Sequence, residues 1–168
     1  FAVKRDVTTE HEGEVSTILH DEYQEGDNIN LTAPVGPFHV VEKSNKQLFL
    51  GSGIGVTPLV SMFNEVVNDN GEARFIQVTN DTNDAPFSSL LTSIANKNAQ
   101  ATYDLHDKNK NGYIGREQLK QWIDDDTEIY VCGGKSFIQS MIKSLKELNV
   151  DESKIHYETF IPKLSVAV

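Results

Sequence analysis

The spacing of apolar positions changes character near residue 44. Before that point apolar and polar side chains alternate in short stretches. Residues 1–5 (FAVKR) do so, residues 27–33 carry Ile29, Leu31 and Ala33 on one side, and residues 38–42 follow a turn at 34–37. A two-residue period predicts half-buried strands. Between the first two of these, residues 8–14 are polar and read as a loop. Residues 16–23 then read as a short helix after Gly13, with Val15, Ile18 and Leu19 apolar and Ser16 as its N-cap.

After a polar break at 44–46, strands and helices alternate. An apolar strand at 48–50 runs into Gly51, Gly53 and Gly55. Pro58 and an amphipathic helix follow, with Val56, Leu59, Val60, Phe63, Val66 and Val67 at the spacing of one buried face. Residues 73–79 (ARFIQVT) predict a strand, and Phe87, Leu90, Leu91 and Ile94 mark a second helix. A weaker strand at 102–105, a short helix at 116–123 and a strong strand at 128–132 (EIYVC) come next. A helix through Leu148 then turns Phe137, Ile138, Met141, Leu145 and Leu148 inward, and residues 154–160 close with a strand. Repeated β–α units of this length require a parallel sheet. The expected fold is therefore α/β, a parallel five-stranded nucleotide-binding sheet with helices on both faces, preceded by a remnant of an antiparallel β-barrel. The expected domains are 1–44 for the barrel piece and 45–168 for the α/β domain.

Charge narrows the partners. Twenty-five acidic against fifteen basic residues give a formal net charge of −10, and the basic residues form no run. Such a balance speaks against nucleic acid and anionic membrane surfaces. The one cysteine, Cys132, excludes an internal disulfide framework and fits a reducing compartment, hence the cytoplasm. No apolar stretch approaches the roughly 20 residues of a membrane span. The chain opens on Phe1 within an expected strand, as a fragment does.

Two stretches carry candidate chemistry. Glycines between a strand and a helix let the backbone turn sharply and approach a ligand, and the helix N-terminus offers N–H groups and a positive dipole end to a phosphate. Residues 51–58 (GSGIGVTP) thus read as a pyrophosphate cradle, or as a ligand-free β–α turn. Residues 107–118 (DKNKNGYIGREQ) imitate a calcium loop. Asp107, Asn109 and Asn111 fall at positions one, three and five, with Gly112 at the sharp turn and Ile114 at the apolar position. Gln118 replaces the terminal glutamate, Glu117 stands one residue early, and residues 101–106 read as a strand where a helix is needed. A polar turn capping the next helix is the expected reading, and no metal site is assigned.

Four motifs in order, GEVSTILHDEYQEGDNINLTAPVGPF, LFLGSGIGVTPLVSM, IYVCGGKSFIQSM and IHYETFIP, span nearly the whole chain. They resemble the ferredoxin-reductase-like flavoproteins, and most of all the reductase portion of flavohaemoglobins, the nitric oxide dioxygenases. That resemblance implies a barrel that binds FAD and an α/β domain that binds NAD(P)H. It assigns Gly13, Val15 and Ser16 to the flavin pyrophosphate, and Gly51, Gly53, Gly55, Val56, Thr57 and Pro58 to the nicotinamide dinucleotide. Cys132, Gly133 and Gly134, with Phe137 on the following helix, match a Cys-Gly-Pro turn that sets a thiol beside the nicotinamide. Gly134 stands where the family has proline, which loosens the turn. Glu158 and Phe160 match a terminal motif at the flavin ring. Cys132, Glu158 and Phe160 are thus the implied catalytic residues.

From the residues alone, Ser16 also reads as a helix cap, Cys132 as a small core side chain and Phe160 as core. His156 reads as a strand-edge residue, since hydride transfer between two cofactors needs no protein base.

The implied function is passage of a hydride from NADH to FAD and of electrons to a haem, in a globin domain that would lie upstream, or to another acceptor. Asp81 and Asp84 after the second strand oppose a 2′-phosphate, favouring NADH over NADPH. The family's Arg-x-Tyr-Ser flavin strand is missing, so this chain alone is expected to bind FAD weakly or not at all and to be inactive by itself. The alternatives are a flavin reductase component serving an iron–sulfur protein or a hydroxylase, and a non-catalytic piece with a degenerate calcium loop.

Overall fold

The computed structural model describes residues 2–7, 12–33, 35–41 and 46–159, and the chain divides into two compact units, Phe1–Pro37 and Phe38–Val168. Among its described residues the first holds one helix, α1 (Glu14–Asp21). Gly13 is its N-cap, so Ser16 lies inside the first turn and is not the cap. The Ser16 hydroxyl instead donates to the Gly13 carbonyl and accepts from the Asp6 N–H, both at 3.0 Å.

The strands expected at 1–5 and 27–33 do not form among the described residues. A strand needs a neighbour for its backbone N–H and C=O groups, and the described residues of this unit provide only one antiparallel bridge, Val7 to Glu12. Residues 27–33 run exposed without regular structure. A barrel remnant is therefore not visible as a sheet.

Residues 38–41 are not a strand either. Phe38 packs edge-on against Tyr130 with ring centres 6.3 Å apart, and Val40 joins the same core. The Val41 N–H donates to the Tyr130 hydroxyl at 3.1 Å. These contacts set the division of the chain at 37–38, seven residues before the composition shift.

The second unit is a parallel sheet of β1 (Lys46–Ser52), β2 (Ala73–Thr79), β3 (Ala101–Asp107), β4 (Thr127–Gly133) and β5 (Ile155–Thr159), in the order β3-β2-β1-β4-β5. Helix α2 (Val56–Asn68) follows β1 and α3 (Ser88–Lys97) follows β2. Two single-turn helices, α4 (Lys108–Asn111) and α5 (Arg116–Leu119), lie between β3 and β4, and α6 (Lys135–Glu147) follows β4. The expected helix 116–123 thus ends at Leu119, and the closing strand runs 155–159, with Phe160 outside the described residues.

Alternation along each central strand feeds two cores. Phe49, Phe75, Tyr130 and Cys132 face α2 and α3, where they meet Val56, Phe63 and Leu91. Leu48, Leu50, Ile76, Ile129 and Val131 face α5 and α6, against Leu119, Ile138, Met141 and Leu145. Phe49 stacks on Tyr130 at 5.2 Å and meets Phe63 edge-on at 6.0 Å. A sheet buried on both faces explains why β1 and β4 read as continuous apolar runs. Among the described residues no helix is long and apolar enough to cross a membrane.

Candidate nucleotide site

All five strands are parallel, so their carboxyl ends share one edge. From β1 the chain moves out to β2 and β3, then crosses to β4 on the other side of β1. The strand order reverses between β1 and β4, and open α/β sheets bind ligands in the crevice at such a point. The two glycine-bearing turns meet there, with Gly51 paired to Cys132.

The glycines do different things. Gly53 has φ +57 at the head of a 3-10 turn, Gly53–Gly55, a conformation that L side chains avoid. A side chain there would project into open space. Gly55 has ordinary angles but no room: a Cβ would lie 2.4 Å from the Cys132 carbonyl carbon and the Gly133 nitrogen. The turn runs straight into α2, and the Thr57 hydroxyl donates to the Ile54 carbonyl at 3.0 Å. Pro58 is the third helical residue, where no N–H is needed by the helix ladder.

On the β4 side Cys132 is fully buried. Burial pushes its thiol up to about 12, and the charge of Glu158 adds to this. Glu158 is the register partner of Cys132 on β5. At Gly133 a Cβ would meet the Phe137 ring at 2.8 Å and the Ser52 carbonyl oxygen at 3.1 Å. Gly134 is the N-cap of α6 with φ −65 and ψ 154. That is the φ a proline would impose, so the glycine takes up the backbone angle of the residue it replaces.

Residues 51–58, 132–134, Phe137 and Glu158 therefore come together at the carboxyl ends of β1, β4 and β5. Gly13, Val15 and Ser16 belong to the other unit. Beside the crevice lies a cavity of about 170 Å³ lined by Ser52, Lys108, Tyr113, Ser136 and Phe137 among others. Of these only Phe137 was expected. Lys108 sits 5.5 Å from the Tyr113 ring centre. The signal for both residues lay inside the stretch that imitates a calcium loop.

That stretch engages its first carboxylate, Asp107, internally. The buried Asp107 side chain accepts from the Asn109 and Lys110 N–H groups at 3.0 and 3.3 Å, and Lys110 Nζ lies 3.1 Å away. These contacts hold its carboxyl below the usual range, the Lys110 side chain most of all. The preceding residues are strand β3, as expected. Among the described residues no three His, Cys, Asp or Glu side chains gather in a metal-binding arrangement.

The acidic segment after β2 is ordered in part by the Asp81 carboxylate. Asp81 caps a 3-10 turn, Thr82–Asp84, by accepting from the Asn83 N–H at 2.9 Å. Gln77 Nε2 donates to the Pro86 carbonyl at 3.0 Å, and the Tyr103 hydroxyl donates to Gln77 Oε1 at 2.7 Å.

The chain is similar to the flavohemoprotein of Bacillus subtilis, 34% identical over 96% of this chain and 44% of that protein. It is 32% identical to the flavohemoprotein of Rhodopirellula baltica, over 97% of this chain and 45% of that protein. It thus spans somewhat under half the length of these relatives. In structure it is similar to the FAD/NAD-binding domain of nitric oxide dioxygenase from Vibrio cholerae, with a TM-score of 0.83 and 27% identity over 95% of this chain and 70% of that one. The ferredoxin-NADP+ reductase of Plasmodium falciparum shares the fold at a TM-score of 0.71 and 17% identity, over 89% of this chain and 66% of that one. Residues 49–143 match the oxidoreductase NAD-binding domain, and over that stretch, more than half its length, the chain belongs to this family.

Proposed function

We propose that this chain is the nicotinamide-binding part of a flavohaemoglobin-type reductase, which takes a hydride from NADH to FAD and passes electrons on to a haem or other acceptor. The observation that carries this reading is the contact of Gly55 with the Cys132–Gly133 backbone at the strand-order reversal. It leaves open space over Gly53, where a phosphate group fits against the start of α2. The nearby cavity with Lys108 and Tyr113 suits the far end of an extended dinucleotide.

The roles of the chain's own residues follow from this. Gly53, Gly55, Val56 and Thr57 bind the pyrophosphate through backbone groups, with Gly51 and Pro58 shaping the loop. Cys132, Gly133 and Gly134 border the nicotinamide end, and the Phe137 ring backs the turn. With its thiol pushed up to about 12, Cys132 stays neutral at physiological pH and offers a polarisable, uncharged wall. Glu158 lies across from it, and the flavin is assigned to Gly13, Val15, Ser16 and Phe160 by the motifs they match. A bound flavin supplies the hydride acceptor and the step from paired to single electrons. Asp81 and Asp84 select NADH by repelling a 2′-phosphate. The unpaired, buried Cys132 suits a cytoplasmic setting.

Titration of the isotope-labelled chain with NADH, followed residue by residue by NMR, tests the reading. Shifts concentrated at 51–58 and 132–134 are expected. Shifts scattered over the surface, or none at millimolar NADH, would overturn it.

A further inference from the structure

β5 is an edge strand of five residues, none of them fully buried. Neither face of it holds a fully buried side chain: Ile155 is only partly buried and Tyr157, on the same face, is exposed, while His156 and Glu158 on the other face are partly buried. Burial alone therefore specifies its register weakly. A slip of one residue would turn Glu158 to the opposite face and set Tyr157 or Thr159 beside Cys132.

One side-chain pair resists such a slip. His156 Nε2 lies 2.7 Å from Glu128 Oε2, diagonally across β4 and β5. Glu128 is nearly buried and His156 about one-fifth exposed. A carboxylate only accepts, so this ring nitrogen carries the proton and donates. The His156 ring also stacks on its register partner Tyr130, at 4.8 Å and 23°. Tyr130 itself stacks on Phe49 from the other side and meets Phe38 edge-on. Two residues further along the same face of β5 stands Glu158, opposite Cys132.

We propose that His156 and Glu128 form a positioning pair, which pins β5 in register and so keeps Glu158 opposite Cys132. This assigns a role to a histidine that hydride transfer itself leaves unused, and it rests on Cys132 marking the nicotinamide end of the site.

Hydrogen exchange and the Cys132 13Cβ resonance, measured on the whole chain, test the proposal. His156→Leu should speed exchange of the β5 ladder amides about tenfold, as loss of a charge-assisted hydrogen bond would. The β1 and β2 amides should stay unchanged and the Cys132 resonance should move. His156→Gln, which keeps a donor at similar reach, should restore both. Glu128→Ala should reproduce the local effect, and the double variant should add nothing to it. An increase spread evenly over the sheet, an unchanged β5, a stationary Cys132 resonance or failure of His156→Gln to restore would each overturn the proposal. A flat NADH titration of the unaltered chain would instead count against the nucleotide reading and leave these readouts unaffected.

Discussion

Gly55 and Cys132 touch through their backbones: a methyl group at residue 55 would stand 2.4 Å from the Cys132 carbonyl carbon. Neither partner has a flexible side-chain end that can swing aside. Gly55→Ala must therefore part the two turns or distort β4, at a cost of about 1–3 kcal/mol of stability. Urea unfolding should show the loss, and NADH affinity should fall by more than stability alone explains, because the crevice itself is widened.

Gly134→Pro should have the opposite sign. The backbone at 134 already has φ −65, and a Cβ there would meet nothing within 4 Å. Restricting the unfolded chain at a compatible position adds about 0.4–1 kcal/mol. A raised thermal midpoint with unchanged NADH affinity is the expected result; a lowered midpoint would show that the turn needs glycine.

The Cys132 thiol gives a signed pH dependence. Its folded value is pushed from an ordinary 9.0 up to about 12, by burial first and the Glu158 charge second. Between those values the folded chain binds more protons than the unfolded one, so stability contributed below pH 9 is lost as pH rises towards 12. Tyr103, pushed by burial from 10.0 up to about 12, adds loss of the same sign in the upper part of that window. Alkylation of Cys132 at pH 8 should run roughly 100-fold or more slower than for a free cysteine. Glu158→Gln should speed it, since removing the negative charge lowers the thiol.

Calcium should not stabilise this chain. Asp107 already satisfies two backbone N–H groups and Lys110, and a cation would have to displace them. Thermal midpoints with calcium and with EDTA should coincide. Asp107→Ala should lower the midpoint in both, and the difference should shrink in acid. A carboxyl held low in the folded chain contributes above its ordinary 3.8, and that contribution is lost as pH falls through the folded value.

Much of the α/β unit was legible because its signals are local and redundant. Strand β2 falls on the residues its apolar run marked, and the glycine turn is bounded by a strand and an amphipathic helix that each declare themselves. Residues 27–33 show the limit. Their alternation is as regular as that of many strands, yet a strand exists only with a neighbour, which periodicity does not reveal. Ser16 misled for a related reason: its hydroxyl is engaged by Asp6, ten residues away in sequence. In the candidate site, Gly51–Pro58 stand out by their glycines, whereas Cys132–Gly134 entered through their likeness to a Cys-Gly-Pro turn. Lys108 and Tyr113 could not be found in either way, because their nearness to Phe137 arises only once the segment after β3 folds back towards the helix that follows β4. The His156–Glu128 contact spans 28 residues of sequence and leaves no local trace.

The central claim is that the crevice between β1 and β4 binds a reduced nicotinamide dinucleotide and prefers the form without a 2′-phosphate. Thermal unfolding of this chain with NADH and NADPH in parallel tests it most directly. NADH at a hundred times its dissociation constant should stabilise by about 2.7 kcal/mol, with a smaller effect from NADPH at equal concentration. A midpoint unmoved by either nucleotide, or moved more by NADPH, would contradict it.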